Sequence, residues 1–155
     1  MAEKIYHLGV KALLNNGRGQ FLVLKVNQAH FKGPKGHDYW DIPGGRVLDG
    51  DTIEETLLRE VAEETGLSSL ASCAPLDTVV SPIEIPLGDG RTAGLVLTIY
   101  TCEAPQHHAD IDLSEEHTAY AWVSKDEAAE LLAHKYPASF TEKVRALRPV
   151  GQKEP

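Results

Sequence analysis

Basic residues are scarce in this chain. Fifteen lysines and arginines stand against 23 aspartates and glutamates in 155 residues, a net charge of −8. That shortage argues against bulk duplex nucleic acid as a partner, because such binders carry a basic surface. It leaves room for a small anionic ligand if metal ions supply the positive charge. Cysteine is scarcer still: Cys73 and Cys102 are the only two, far apart and in no C-x-x-C motif. The expectation is a pair of buried free thiols in a reducing, cytoplasmic compartment. Without companion cysteines, His107 and His108 in their acidic loop read as exposed polar residues and not as zinc ligands. Long apolar runs are missing too. The longest, AGLVLTIY from Ala93 to Tyr100, is far too short to span a bilayer. The start, MAEKIYHLGV, places an acid and a lysine early and has no long apolar stretch, so neither a signal peptide nor a membrane anchor is expected. No internal repeat and no low-complexity tract occurs.

What is present is the composition of a soluble globular protein, 42% hydrophobic and 25% charged. The length fits one domain over 1–155, with loose tails at about 1–4 and 149–155. IYHLGVKALL and FLVLKV read as strands joined by the NNGRGQ turn, where Asn and Gly supply positive-φ positions. A polar loop follows over 27–39, then a short extended WDIP. Thr52 and Glu55 have capping-box spacing and open a helix that Gly66 closes. Beyond it, LDTVVSPIEI, AGLVLTIYTC and AYAWV read as strands. SKDE, again with capping-box spacing, opens a second helix through AAELLAHK, and SFTEKVRAL forms a short last one. Hairpins mixed with crossover helices predict an α/β fold with a mixed sheet.

The helix between Thr52 and Gly66 carries REVAEE, an arginine and three glutamates within six residues. At about 100° per residue, Glu60 and Glu64 stack one turn apart and Glu63 lies beside them. Ile53, Leu57 and Val61 form a separate apolar stripe. A solvated acidic face is one reading of the charge run. However, such faces usually intersperse lysines, and none occurs between Lys35 and Lys125. Glu63 and Glu64 also sit in the last turn, where the helix dipole disfavours anions. That placement asks for a compensating cation, and clustered carboxylates suit Mg²⁺ or Mn²⁺.

The same residues resemble the Nudix box, G-x5-E-x7-R-E-U-x-E-E-x-G-U with U aliphatic. Gly45, Arg59-Glu60-Val61, Glu63-Glu64 and Gly66-Leu67 take the motif positions, IPGG precedes them, and Asp51 stands where the pattern has glutamate. The resemblance implies a MutT-like Nudix fold, an α/β/α sandwich with a mixed β-sheet. It implies hydrolysis of a nucleoside diphosphate linked to another group X, by a pyrophosphatase using Mg²⁺ or Mn²⁺. Glu60, Glu63 and Glu64 carry over as metal ligands, with the carbonyl of Gly44 as a further one. A distal glutamate ahead of Trp122 is also implied. Its spacing favours Glu116 over Glu115, as ligand or general base. Arg59 carries over as an organiser of the glutamates, within reach of Glu63 or of the shorter Asp51.

The mechanism expected is metal-assisted attack of water at phosphorus, with Glu64 or Glu116 taking the proton. Lys32, Lys35 and His37 in the loop before the box are candidates for substrate phosphate, and Phe31, Tyr39 or Trp40 for a base. For each, solvation or packing is the plainer role. Pro82 lies about fifteen residues beyond the box, as in relatives acting on ADP-ribose, and reads equally as an edge-strand or bulge proline. Alternatives are a nucleotide-sensing Nudix domain without catalysis, and an isomerase of the isopentenyl-diphosphate type, which needs a cysteine nucleophile. The expected partner is a small nucleotide, with no duplex nucleic acid and no membrane, and a homodimer is compatible with the family.

Overall fold

The structure, a computed structural model, describes residues 2–30, 38–105 and 110–148. Strand β1 (Tyr6–Asn15) is the spine. It runs parallel to β7 (Thr92–Glu103), from Tyr6 opposite Gly94 to Asn15 opposite Glu103. Its other side is divided. Gly9–Lys11 pair antiparallel with β4 (Gly44–Arg46), and Asn15 pairs with Phe21 of β2 (Gln20–Val26). β2 in turn pairs antiparallel with β3 (Trp40–Asp41) and β8 (His117–Ser124). β5 (Ser72–Val80) and the two-residue β6 (Ile85–Pro86) pair antiparallel with β7. One parallel pairing among antiparallel ones makes the sheet mixed, as expected.

Strand alternation sorts the core onto two faces. Val10, Ala12 and Leu14 of β1, with Leu22 and Leu24 of β2, pack under α1 (Ile53–Thr65) through Leu57 and Val61. Leu13, Phe21, Val23, Leu97 and Ile99 face the other way. They meet Leu132 of α2 (Lys125–Leu132), Tyr136, and Phe140 and Val144 of α3 (Ala138–Arg145). The result is the expected helix–sheet–helix sandwich. No helix among the described residues is long and apolar enough to cross a membrane.

Several local readings shift. The strand expected at LDTVVSPIEI starts earlier, at Ser72, and ends at Val80. Pro82 is exposed in a bend between β5 and β6, and the β5 irregularity lies instead between Pro75 and Asp77. Helix α2 stops at Leu132, and Ala133 to Lys135 form a turn that throws Lys135 back toward the sheet. Trp40 packs against the core, as its plainer role required. The two cysteines stand directly opposite each other on β5 and β7. Both are free, Cys102 is buried, and Cys73 is exposed, because β5 is an edge strand; the expectation of two buried thiols is corrected there.

Candidate active site

Helix α1 is closed at both ends by local hydrogen bonds. Thr52 Oγ1 accepts from the Glu55 amide at 3.1 Å, and Glu55 Oε2 accepts from the Thr52 amide at 3.3 Å. Gly66 adopts φ +80° and its N–H closes on Ala62 O at 2.9 Å. Leu57 and Val61 anchor one face to the sheet, so the glutamate face is set toward the β1–β4 junction. Glu64 is 3% exposed there. Its Oε2 accepts from the Gly44 amide at 3.0 Å. Glu60 is half-buried and Glu63 exposed.

Two glycines make this junction possible. A Cβ on Gly44, at φ +155°, would lie 2.0 Å from the Val10 carbonyl oxygen. A Cβ on Gly45 would lie 2.5 Å from Glu60 Cδ. The glycine before the box lets β4 sit on β1, and the first box glycine gives the Glu60 carboxyl its space. Asp51 meets Arg59 Nη1 at 3.2 Å through Oδ2. The aspartate, one methylene shorter than the pattern's glutamate, reaches the arginine and ties the loop's end to the helix. That ion pair is half exposed, and its stabilisation is on the order of 0–1 kcal/mol; its effect is on loop geometry.

Glu116 arrives from the turn before β8. Asn27 holds that turn: its N–H donates to Glu116 O and its Nδ2 to Glu115 O, both at 2.8 Å. Glu115 stays exposed, while the Glu116 carboxyl meets that of Glu64. One ligand atom each of Glu64, Glu116 and His117 lie within 4.8 Å of one another. His117 was not foreseen. It is 9% exposed, and its Nδ1 is buried with no hydrogen-bond partner among the described residues. Two touching carboxyls and an orphaned ring nitrogen fit a divalent cation, since such a cation would relieve both the repulsion and the missing partner. Glu60, at the edge of the same cleft, would add a further oxygen.

Electrostatics agree with this fit. Burial pushes the Glu64 carboxyl up to about 8, against the pull of Lys11 and the Gly44 amide and with the help of Glu116. Glu60 is raised by burial and by Glu63 and Glu116. Burial, and then Lys11, pushes His117 down to about 4, so the ring is neutral at neutral pH and has a lone pair to give.

The cleft holds about 380 Å³, and Lys11 and Lys135 line it together with Glu60, Glu64 and Glu116. Lys11 Nζ meets Asp41 Oδ2 at 3.0 Å and the Ile42 carbonyl at 3.2 Å. Lys135 Nζ meets the same Oδ2 at 2.7 Å. Asp41 Oδ1 accepts from Tyr136 Oη at 2.6 Å and from the Ile42 amide at 2.8 Å. Burial alone would raise the Asp41 carboxyl, but Lys11, Lys135 and these hydrogen bonds hold it well below the usual carboxylate range. Tyr39 lines the cleft beside them. Lys11, Asp41, Lys135 and His117 escaped the sequence reading. A lysine and an aspartate at inward positions of strands otherwise buried were the available signal. Lys32, Lys35, His37, Phe31, His107 and His108 lie outside the described residues. Neither cysteine lines the cleft, and neither does Pro82.

Comparison with known proteins follows the same lines. The family model described as NUDIX domain matches residues 5–144. The asymmetrical bis(5'-nucleosyl)-tetraphosphatase of Mus musculus is 29% identical over 123 residues, which cover 79% of this chain and 76% of that protein. The nucleoside triphosphatase NudI of Salmonella agona is 32% identical over 114 residues, covering 72% of this chain and 77% of its own. Among solved structures, a MutT protein from Methanosarcina mazei superposes with a TM-score of 0.64 at 29% identity, covering 94% of this chain and 95% of that one.

Proposed function

The chain belongs to the Nudix family, and from that premise we propose that it is a Mg²⁺- or Mn²⁺-dependent pyrophosphohydrolase cutting the diphosphate linkage of a small nucleoside diphosphate derivative. The relatives named above are a tetraphosphatase and a triphosphatase. Hydrolysis of a phosphoanhydride is the reaction carried to this chain. The observation that supports it most is the convergence of Glu64, Glu116 and His117 within 4.8 Å in a cleft that Lys11 and Lys135 also line.

A bound divalent cation supplies neutralisation of the phosphate oxygens and acidification of a water. Glu64, with Glu60 and His117, would hold that cation. The Gly44 amide fixes the Glu64 carboxyl from behind, so the ligand geometry is set before substrate arrives. Glu116, carried by the Asn27-anchored turn and free of such a backbone clamp, takes the proton of the attacking water. The water's oxygen bonds to phosphorus, and the bridging P–O bond breaks with its electron pair going to the departing phosphate oxygen. The products are a mononucleotide and phosphorylated X, or pyrophosphate if X is itself phosphate. Arg59 acts through Asp51 by holding the box loop against the helix, as a positioning residue. Glu63, exposed and beside Glu60, adds negative charge at the metal face.

An isomerase reading asks for a cysteine at the reacting centre, and the cleft contains none among its described residues. A nucleotide panel tests the proposal. Nucleoside triphosphates, ADP-ribose, nucleotide sugars and dinucleoside polyphosphates are incubated with Mg²⁺ and then Mn²⁺, and products are read by phosphorus NMR. Turnover by the wild type and its loss in Glu64→Gln are expected. Tight binding with no turnover of any member would make the domain a sensor.

A further inference from the structure

The cationic wall of the cleft is unaccounted for by the chemistry above. Two ammonium groups terminate on a single oxygen, Asp41 Oδ2, at 3.0 and 2.7 Å. Their side chains are only 9% and 13% exposed. Asp41 has nothing left to offer, since Oδ1 is filled by Tyr136 and the Ile42 amide. One negative charge therefore faces two positive ones in a poorly hydrated place. Joining the α2–α3 turn to the sheet would take one lysine; a second on the same oxygen adds repulsion without adding a partner. Lys11 has some relief from Glu64. Lys135 has less: burial outweighs Asp41, Lys11 opposes it, and its ammonium is held below the ordinary lysine range. Of its three N–H donors, one goes to Asp41. Both lysines line the cleft shared with the glutamates.

We infer that Lys11 and Lys135 form a second anion subsite in the cleft, which takes a substrate phosphate lying outside the phosphoanhydride that is cut. This deepens the hydrolase reading and rests on it for the word substrate. The subsite selects molecules whose X is itself phosphorylated, such as nucleoside triphosphates and dinucleoside polyphosphates. ADP-ribose and nucleotide sugars place an uncharged sugar there and leave the excess charge uncompensated. A lysine pair meets phosphate as point charges and tolerates its rotation. Asp41 acts as the fixed post that holds both ammoniums at the wall.

The experiment has two arms. In the first, inorganic triphosphate is titrated calorimetrically into the metal-free full chain, for wild type, Lys135→Gln and Lys135→Arg. One site in the wild type is expected, weakened at least tenfold by Gln and substantially kept by Arg. Mass-spectrometric labelling of the wild type with an amine acylating reagent supplies a readout that needs no variant: inorganic triphosphate is expected to slow modification of Lys135. In the second arm, KM is measured for a nucleoside triphosphate and for ADP-ribose. Lys135→Gln is expected to change the ratio of the two values at least tenfold, against the triphosphate. Unchanged triphosphate binding in Lys135→Gln, unaltered labelling, or a constant KM ratio would overturn the subsite. Absence of any turnover alongside Lys135-dependent triphosphate binding would sink the hydrolase reading and leave the subsite standing.

Discussion

Asp41→Asn tests the charge balance of the cleft in a way that can be worked from the structure. The substitution keeps the shape and a carbonyl oxygen for Tyr136, but it removes the carboxylate that both Lys11 and Lys135 reach. Two routes give the cost. Breaking a buried ion pair from one side costs roughly 3–5 kcal/mol. Alternatively, one lysine sheds its proton; from an ordinary 10.5 to pH 7 that is about 5 kcal/mol at 1.4 kcal/mol per unit. The two agree, and for a chain of this length they predict a melting temperature lower by roughly 6–20 °C. Urea unfolding at pH 7, followed by tryptophan fluorescence, is the assay. The pH dependence has a definite sign. Asp41 is depressed in the folded state, so its contribution is fully present above its ordinary 3.8 and fades as pH falls through the lower folded value. The gap between wild type and variant should therefore narrow in acid. Adding Lys135→Met to Asp41→Asn should recover part of the loss, because it removes an orphaned charge. A variant within about 1 kcal/mol of wild type at pH 7 would refute the reasoning, since no buried pair of this kind is that dispensable.

The site and its supports make further predictions. Glu116→Gln should lower kcat roughly 10²–10⁴-fold with little change in KM, as expected on loss of a general base; steady-state kinetics on a nucleotide found by the panel checks it. Gly45→Ala should displace the Glu60 carboxyl, whose Cδ lies 2.5 Å from the added methyl position, and so weaken Mg²⁺ activation while the circular dichroism spectrum stays that of the wild type. Thr52→Ala removes the cap of α1 and should cost about 0.5–2 kcal/mol in urea unfolding. His117→Ala should weaken Mn²⁺ more than Mg²⁺ in direct metal titrations, because an imidazole nitrogen favours the transition ion.

Much of the acidic wall was legible because its signals are local. Thr52, Glu55 and Gly66 bound the helix by spacing alone, and the 3.6 period separates Leu57 and Val61 from the glutamates. Glu116 is favoured over Glu115 only through the resemblance, which implies a distal glutamate ahead of Trp122. The cationic wall is different in kind. Lys11 comes from β1, Asp41 from β3 and Lys135 from the turn after α2, and no local pattern joins them. Only the sheet does, by pairing β4 and β7 with opposite sides of β1 and β3 with β2. His117 escaped for a related reason: a histidine opening a strand looks ordinary until the fold brings it to Glu64 across the chain. The opposition of Cys73 and Cys102 likewise depends on the β5–β7 register, which sequence separation conceals.

The central claim is that Glu64 and His117, with Glu60, gather a divalent cation beside Glu116 and a phosphoanhydride. Electron paramagnetic resonance of Mn²⁺ titrated into the full chain, with and without a non-hydrolysable nucleotide, tests it most directly. The account predicts a protein-bound Mn²⁺ population that strengthens with nucleotide and whose affinity falls at least tenfold in Glu64→Gln. Equal Mn²⁺ binding by wild type and Glu64→Gln, in both conditions, would contradict it.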